Sequence, residues 1–506
     1  MTEGTPSTSI ERRSGAFDAL AAAIGIVVFA VCLVVASKQF FWGDDFAYLA
    51  KARGLMSPVP WTWREVFLPQ QPGFNWAYRP LSLETFFYVG NLLFGLQPFG
   101  YLVSSVCVHF AGGVLFWILA LRMGLERPAA AFAALLSVTR PPSLSDIFFV
   151  SIFSYVLCKF WMLSAVLLAV LALRREGRFL RFILVAGSAL STALALLANE
   201  IAIVTPAVVT VALLCAGRLG SERVPWWRIA RHTVPHVLVA ILWCIVRFKL
   251  VVLTDRPELY TPTIGYYTLQ NAEFLIVSSL GSTLSAAVLM LWLAAPLGFV
   301  AVRPSIRRRV GQWPVCAVGV GLVWFASTGA IFAMVAFPQL RFAILTEVPV
   351  CMWIGAGASL AWRCTRTHGR ALLGTAALLS IVATTPYGAL WMNWRTPRGD
   401  HARALLTFVA QNPSLVDATI VLLHSGPNMA PADVASRHSY SIWNGVAFKA
   451  VFPERRLGFE SRDASRAPSE VDCSKCVFVA LRPDLSLEMV PDPLSRPEDR
   501  SPSPGS

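Results

Sequence analysis

Long apolar runs alternate with short polar segments along most of the chain. Runs of about 20 residues, the length that a helix needs to cross a hydrocarbon core, recur from residue 16 to residue 392. The pattern predicts about eleven membrane-spanning helices. Their approximate bounds are 16–37, 98–121, 128–139, 147–173, 180–198, 200–216, 233–253, 275–301, 313–337, 342–362 and 371–392.

Two of these runs depart from the simple pattern. The run 128–139 is too short to cross a bilayer alone, and residues 180–216 form one apolar tract that Asn199 and Glu200 divide. Glu200 is expected either to mark a tight turn between two helices or to belong to a functional site.

The segment 38–97, between the first two predicted spans, mixes aromatic residues with charges and prolines. Irregular backbone is unstable in lipid, and aromatic amphipathic segments usually rest at the headgroup level. We therefore expect one or two interfacial helices in this first outer loop. Its tryptophans include Trp42, Trp61, Trp63 and Trp76.

The two ends of the chain read differently from the apolar middle. Residues 1–15 are a polar tail, and 393–490 have the pattern of a small α/β domain. Its predicted elements are a helix at His401 to Gln411 and strands at Ala418 to Leu423 and Cys476 to Leu481. Residues 491–506 are rich in proline and serine and are expected to be disordered.

Composition agrees with a membrane protein. The chain is 56% hydrophobic and 14% charged, whereas a soluble domain carries about 25% charged residues. The net charge of +14 does not form a basic stripe, so nucleic-acid binding is not indicated. We predict an all-α polytopic protein of residues 16–392 with a small C-terminal α/β domain.

Arginines predict which side each loop occupies, because cytoplasmic loops carry the excess of Lys and Arg. The clusters occur at alternate loops, which places the N-terminus in the cytoplasm and the C-terminal domain in the periplasm of a bacterial inner membrane. The clusters are Arg12 and Arg13; Arg122 and Arg127; Arg174, Arg175, Arg178 and Arg181; Arg218, Arg223, Arg228 and Arg231; Arg303, Arg307, Arg308 and Arg309; and Arg363, Arg366 and Arg370.

The cysteines fall into two groups. Eight of the ten, from Cys32 to Cys364, lie in or beside apolar runs, where a free thiol behaves as a small hydrophobe. The other two, Cys473 and Cys476, lack the second pair that a zinc site needs. If their segment is periplasmic, a local disulfide is the expected arrangement.

Asp44 and Asp45 are the first candidates for chemistry, since they follow the first span directly. Adjacent carboxylates can take a proton from a hydroxyl group or hold a divalent cation, and they also commonly cap helices. Whether a divalent metal takes part is left open.

Other charged or polar residues lie in or beside the spans. Arg247 and Lys249 are near the outer end of an apolar run, where a cation is either functional or reaches the interface with its side chain. His109 is either a satisfied core histidine or a supporting site residue. Asp146 is either a helix cap or a second acid near the site.

Several short motifs follow the acidic pair in a fixed order. They are Tyr78-Arg79-Pro80-Leu81, Phe94-Gly95-Leu96, Pro98-Phe99-Gly100-Tyr101, His109, Ala198-Asn199-Glu200 with Pro206, and Arg341-Phe342 with Pro349. This order resembles the GT-C superfamily of glycosyltransferases, in particular bacterial relatives of the protein O-mannosyltransferases and of the transmembrane-and-TPR O-mannosyltransferases. The chain has no 34-residue repeat of the TPR kind.

The resemblance implies a membrane glycosyltransferase that moves a sugar from a polyprenyl-phosphate donor to a hydroxyl acceptor at the periplasmic face. It implies inversion, with Asp44 or Asp45 as general base and Asp44 slightly preferred. Arginine suits the departing phosphate through its planar fork. The candidate phosphate ligands are Arg79, Arg140, Arg247 and Arg341, and the supporting residues are Tyr78, His109, Asp146 and Glu200.

Two alternatives remain open at this point. The same charges could line the path of a transporter or flippase of lipid-linked glycans. The membrane part could also be a non-catalytic scaffold that presents the C-terminal domain. The sequence identifies neither the sugar nor the acceptor, which could be an envelope glycan, a lipid or a protein Ser/Thr.

Overall fold

A computed structural model describes most of the chain, and all structural statements below concern the part that it describes. The chain divides into two compact units. The membrane unit comprises Met1–Ser37, Trp63–Phe86 and Tyr101–Trp394, and the second unit comprises Lys38–Thr62, Phe87–Gly100 and Arg395–Ser506. The described residues are 8–55, 66–67, 78–140, 144, 147–219, 224–250, 291–292, 294, 313–333, 343–365, 367–384, 399–425, 428–442, 445–464, 475–484 and 486–491.

The membrane unit is helical. Seven of its described helices are long and apolar enough to cross a membrane, and three shorter apolar helices accompany them. The helices of this unit are α1 (Thr8–Ala36), α4 (Pro98–Arg122), α5 (Arg127–Thr139), α6 (Phe153–Leu173), α7 (Arg178–Ala198), α8 (Thr205–Arg218), α9 (Trp226–Leu250), α10 (Trp313–Ala333), α11 (Ala343–Cys364) and α12 (Thr367–Thr384). The second unit contributes α2 (Asp44–Ala52) and α3 (Phe86–Phe94), the latter beginning at the boundary of the two.

The predicted spans correspond to these helices, because a helix satisfies its own backbone hydrogen bonds in lipid. The predicted span 275–301 lies almost entirely outside the described residues. Helix α5, over the short predicted run, has 13 residues, which is less than a full crossing. The multi-span helical architecture predicted from the hydrophobic pattern is confirmed.

The long apolar tract breaks at Asn199, as its sequence predicts. Helix α7 ends at Ala198, and Asn199 adopts extended backbone with φ −160° and ψ 135°. Its side-chain oxygen accepts a hydrogen bond from the backbone N–H of Ile201 at 3.2 Å. A short 3₁₀ helix, Glu200–Val204, then leads into α8. The cap explains why the chain turns here although both flanks are apolar.

The second unit contains a four-stranded sheet with the order β2-β1-β3-β4. Strands β1 (Asp417–His424), β2 (Arg456–Asp463) and β3 (Cys476–Leu481) are parallel, and β4 (Leu487–Met489) is antiparallel to β3. The helices around it are α13 (Asp400–Gln411), α14 (Ala432–Ser441) and α15 (Val446–Val451). The predicted helix and both predicted strands are confirmed, whereas β2 and β4 were not predicted.

The first outer loop contains helices, as expected. Helix α2 follows the first span, and a π-helical turn over Pro80–Thr85 leads into α3. Gly100, in the motif that begins α4, lets the chain pack closely, because a Cβ there would stand 2.4 Å from the Phe94 ring. Trp61, Trp63 and Trp76 lie outside the described residues, and the position of these helices at the membrane interface stays a prediction.

Candidate active site

The acidic pair opens helix α2. Gly43 precedes it with φ +57°, and Asp44 and Asp45 are the first two helical residues. A carboxylate oxygen of Asp45 accepts a hydrogen bond from the backbone N–H of Trp42 at 3.1 Å. Asp44 is 7% exposed and Asp45 is 1% exposed. Burying a carboxylate costs free energy unless neighbouring groups compensate for its lost hydration. The contacts of Asp44 and Asp45 therefore indicate what each carboxylate does.

The C-terminal segment supplies part of those surroundings within the second unit. The Tyr440 hydroxyl donates a hydrogen bond to Oδ1 of Asp44 at 3.3 Å. The next residue, Ser441, accepts a hydrogen bond from the Gly43 N–H through its carbonyl at 2.9 Å. The Tyr440 and Trp42 rings meet edge to face, with centroids 5.0 Å apart. Sequence reasoning did not single out Tyr440.

In the membrane unit, the predicted residues Arg79 and Glu200 form an ion pair. Nε and Nη2 of Arg79 donate to the two carboxylate oxygens of Glu200 at 2.8 and 2.7 Å. The guanidinium also lies over the Tyr155 ring, 5.4 Å from its centroid, and Nη1 is 3.5 Å from the Ser154 hydroxyl. This contact set fixes the plane of the guanidinium.

Tyr78, next to Arg79, has a structural contact of its own. Its hydroxyl donates a hydrogen bond to the carbonyl of Phe67 at 3.0 Å. Burial, together with the negative charge of Glu84, raises the pKa of the Tyr78 hydroxyl above its ordinary value. Tyr78 therefore keeps its proton over the physiological pH range and acts here as a hydrogen-bond donor.

Arg247 belongs to the same charged cluster. Its positive charge acts on Glu200, and its guanidinium lies 5.5 Å from the centroid of the Trp243 ring. Within the described part of the chain, its Nη1 atom is buried and has no hydrogen-bond partner. Arg79, Glu200 and Arg247, three of the predicted site residues, are thus brought together, and we call them the charged cluster.

An apolar groove is lined by residues that follow Glu200 and flank Arg247 in the sequence. It has a volume of about 500 Å³ and lies between the start of α8 and the C-terminal half of α9. Lys249, two residues after Arg247, is one of its lining residues. The other residues that line it include Ile203, Pro206, Val237, Ile241 and Phe248. A long apolar chain with a charged end fits a groove with this arrangement.

A second polar network is buried among α4, α5 and α6. Nε2 of His109 is 3.1 Å from the Val138 carbonyl, and the Lys159 ammonium is 3.4 Å from Nδ1 of the same ring. Since a carbonyl only accepts, Nε2 carries the proton and Nδ1 accepts from Lys159. Lys159 also donates to the Ser137 carbonyl at 3.3 Å. His109 is therefore a satisfied interior histidine.

Helix α11 adds an acid to this network. Lys159 and Glu347 interact electrostatically, and they are 1% and 0% exposed. Arg140 is also fully buried, and its positive charge acts on Cys351. Its role as a phosphate ligand stays a prediction. The sequence analysis did not select Lys159 or Glu347. Each is a single charged residue within an apolar run, and such a residue is a candidate for a functional or structural role in a membrane protein.

Two predicted site residues, Arg341 and Asp146, lie outside the described residues. Among the residues that the structure does describe, no three His, Cys, Asp or Glu side chains are grouped to hold a metal ion. Cys476 is disulfide-bonded, and the eight cysteines from Cys32 to Cys364 are free thiols. Cys473, the expected partner of Cys476, lies outside the described residues.

No protein-family model and no curated protein matches the sequence. Solved structures do match. Arabinofuranosyltransferase AftD from Mycobacteria has a TM-score of 0.50 at 15% identity, over 88% of this chain and 32% of AftD. This chain thus spans about a third of the length of AftD.

Two further structures have lower TM-scores. ArnT from Cupriavidus metallidurans, solved with undecaprenyl phosphate, scores 0.48 at 13% identity over 87% of this chain and 89% of ArnT. The oligosaccharyltransferase AglB from Archaeoglobus fulgidus, in complex with an inhibitory peptide and a dolichol-phosphate, scores 0.46 at 12% identity over 86% of this chain and 64% of AglB. At such low identity the similarity shows the fold alone, and the chain has the GT-C type of membrane fold.

Proposed function

We propose that this protein is an inverting membrane glycosyltransferase. It transfers a sugar from a polyprenyl-phosphate-linked donor to a hydroxyl acceptor. The GT-C type of fold and the order of motifs from Asp44 to Arg341 support this assignment. Within the superfamily, the motifs favour the relatives of bacterial O-mannosyltransferases. The proposed location is the bacterial inner membrane, with the N-terminus in the cytoplasm and the C-terminal domain in the periplasm.

The charged cluster beside an apolar groove is the observation that carries the proposal. The donor has an apolar isoprenoid chain and a phosphate at one end. The groove, of about 500 Å³, suits the chain, and Lys249 in its lining and Arg247 two residues earlier suit the phosphate. Arg79 is held by Glu200 in a fixed orientation, as a preorganised phosphate ligand should be.

In the proposed reaction, one carboxylate of the acidic pair takes the proton of the acceptor hydroxyl. The acceptor oxygen then forms a bond to the anomeric carbon, and the bond between that carbon and the phosphate oxygen breaks. The electron pair leaves with the polyprenyl phosphate, whose negative charge the arginines stabilise. The contributions of Arg140, Arg341, Asp146 and a divalent metal stay predictions.

The buried Lys159 and Glu347 bear on the transporter alternative, since intramembrane charges can mark a transport path. Here both side chains are buried and interact with each other. Lys159 also donates to the Ser137 carbonyl and to Nδ1 of His109, so internal contacts account for this buried charge without a transport role. Transport and transfer also differ in outcome, because only transfer breaks the bond between sugar and phosphate.

The experiment uses the full chain in lipid nanodiscs supplied with polyprenyl-phosphate-linked sugars and hydroxyl acceptors. Release of free polyprenyl phosphate together with a glycosylated acceptor is the expected result. Asp44→Asn and Asp45→Asn are compared with Asp484→Asn, which removes an exposed acid of the second unit. If folded Asp44→Asn and Asp45→Asn proteins both transfer at the wild-type rate, the proposed catalytic role is wrong.

A further inference from the structure

The two carboxylates of the acidic pair have different surroundings. Asp45 is 1% exposed, and its Oδ2 accepts from the backbone N–H of Trp42, three residues earlier. The Asp45 side chain thus reaches back past Gly43 and holds the turn that precedes helix α2. Asp44 instead accepts from a side chain that is distant in sequence, the hydroxyl of Tyr440.

Tyr440 connects a buried carboxylate to an accessible surface. The ring is 41% exposed, although its hydroxyl lies 3.3 Å from Oδ1 of Asp44. Tyr440 thus joins the Asp44 carboxylate to the surface of the second unit, whereas the Asp45 contact described above stays within its own turn.

Two further contacts hold Tyr440 in this position, and Gly43 leaves room for its ring. Its ring meets Trp42 edge to face, and the neighbouring Ser441 carbonyl accepts from the Gly43 N–H at 2.9 Å. Gly43 has φ +57°, and a Cβ at that position would stand 3.0 Å from Cε1 of Tyr440. Glycine at 43 thus provides both the backbone turn before Asp44 and the room for the tyrosine ring.

We propose that Tyr440 is a positioning residue that orients the carboxylate of Asp44, the general base of the proposed transfer, while Asp45 holds the turn that precedes helix α2. This inference rests on the proposed glycosyl transfer. It makes the C-terminal α/β segment a part of the active site, through the end of helix α14, and it assigns the two acids to separate roles.

The physical effect of the Tyr440 hydroxyl is specific to the charged form of Asp44. A donor hydrogen bond stabilises a carboxylate relative to the protonated acid and lowers its pKa. The oxygen-to-oxygen distance of 3.3 Å is long for such a bond, so the effect is modest. Removing the hydroxyl should raise the pKa of Asp44, and a base that must be deprotonated should then lose activity first at low pH.

The experiment compares Tyr440→Phe with Ser439→Ala, each of which removes one hydroxyl from helix α14. In the described part of the chain, the Ser439 hydroxyl donates a hydrogen bond to the Ala435 carbonyl of its own helix at 3.1 Å. The readout is the pH dependence of kcat/KM in nanodiscs. The ionisable groups of α2 besides Asp44 are Asp45, Tyr48 and Lys51; Arg53 follows the helix and Lys449 lies on α15, and both variants keep all of them.

We expect the acidic limb of the Tyr440→Phe profile to move up by about half to one pH unit, and the Ser439→Ala profile to match the wild type. Asp44→Asn should lose far more transfer than Asp45→Asn, and Asp45→Asn should lower thermal stability. An unchanged Tyr440→Phe profile, with Asp44→Asn inactive, would overturn the positioning role alone. Loss of transfer in Asp45→Asn but not in Asp44→Asn would overturn the assignment of the base while leaving glycosyl transfer intact.

Discussion

Arg79 and Glu200 form a two-point ion pair across 121 residues of sequence, with N–O distances of 2.8 and 2.7 Å. The pair links Arg79, which precedes the π-helical turn Pro80–Thr85, to the break between α7 and α8. Their side chains are 11% and 23% exposed, so water screens the pair only in part. It therefore contributes both to the stability of the membrane unit and to the orientation of a proposed phosphate ligand.

Glu200→Gln removes the counter-charge and leaves the Arg79 guanidinium partly buried. We expect a loss of about 1–3 kcal/mol in the free energy of unfolding, below the range for fully buried pairs because both groups are partly exposed. Reversible unfolding in mixed micelles measures it. A double-mutant cycle with Arg79→Gln should show that the two losses are not additive. Additive losses would mean that the pair makes no direct contribution.

Arg247→Gln removes the cation whose Nη1 atom has no partner in the described part of the chain. If Arg247 binds the donor phosphate, the donor KM should rise about tenfold or more, since a charge-assisted hydrogen bond contributes about 1.5–3 kcal/mol. Steady-state transfer at varied donor concentration is the measurement.

Arg231→Gln serves as the matched control, because it removes an arginine from the opposite end of the same helix, α9. Its donor KM should stay at the wild-type value. Equal changes in both variants would argue for a general electrostatic effect and against a specific phosphate ligand.

Lys159→Met tests the buried network. The variant removes an ammonium that donates to the Ser137 carbonyl and to Nδ1 of His109 and interacts electrostatically with Glu347, and we expect a loss of about 1–3 kcal/mol. Lys159→Met combined with Glu347→Met should recover much of that loss, because both charges are then absent. Thermal melting in detergent compares the variants. A double variant that is less stable than Lys159→Met would contradict the proposed pairing.

The disulfide at Cys476 gives a prediction about thiol counts. Alkylation of the denatured, unreduced protein should modify the eight cysteines that are free in the structure. Reduction before alkylation should expose Cys473 and Cys476 as well, and intact mass spectrometry distinguishes the two states. Ten modified cysteines in the unreduced protein would contradict the disulfide and remove one argument for a periplasmic C-terminal domain.

Much of the fold could be predicted because hydrophobic run length is a strong signal in membrane proteins. The break at Asn199, helix α13 and strands β1 and β3 also followed from local patterns. Strand β2 was missed because Arg456–Asp463 has charged residues among its apolar ones and all its side chains are partly exposed or exposed. Such a strand forms because it pairs with its neighbour in the sheet, and that pairing cannot be read from the local sequence.

The candidate site was predicted in parts. Asp44, Arg79, Glu200 and Arg247 were selected from motifs and topology, but Arg79 and Glu200 were given separate roles and their pairing was not predicted. Tyr440 was missed because it lies 396 residues from Asp44, and no local pattern signals such a contact. Pairings between distant residues depend on tertiary packing, which a single sequence shows only weakly.

The most direct test of glycosyl transfer by this protein is the rate of sugar transfer by Asp44→Asn at saturating polyprenyl-phosphate-linked donor. Asparagine keeps the size of the side chain but cannot accept the proton at neutral pH. If Asp44 is the general base, transfer should fall by about 10²- to 10⁴-fold while donor affinity stays near the wild-type value. Wild-type transfer by folded Asp44→Asn protein would contradict the account.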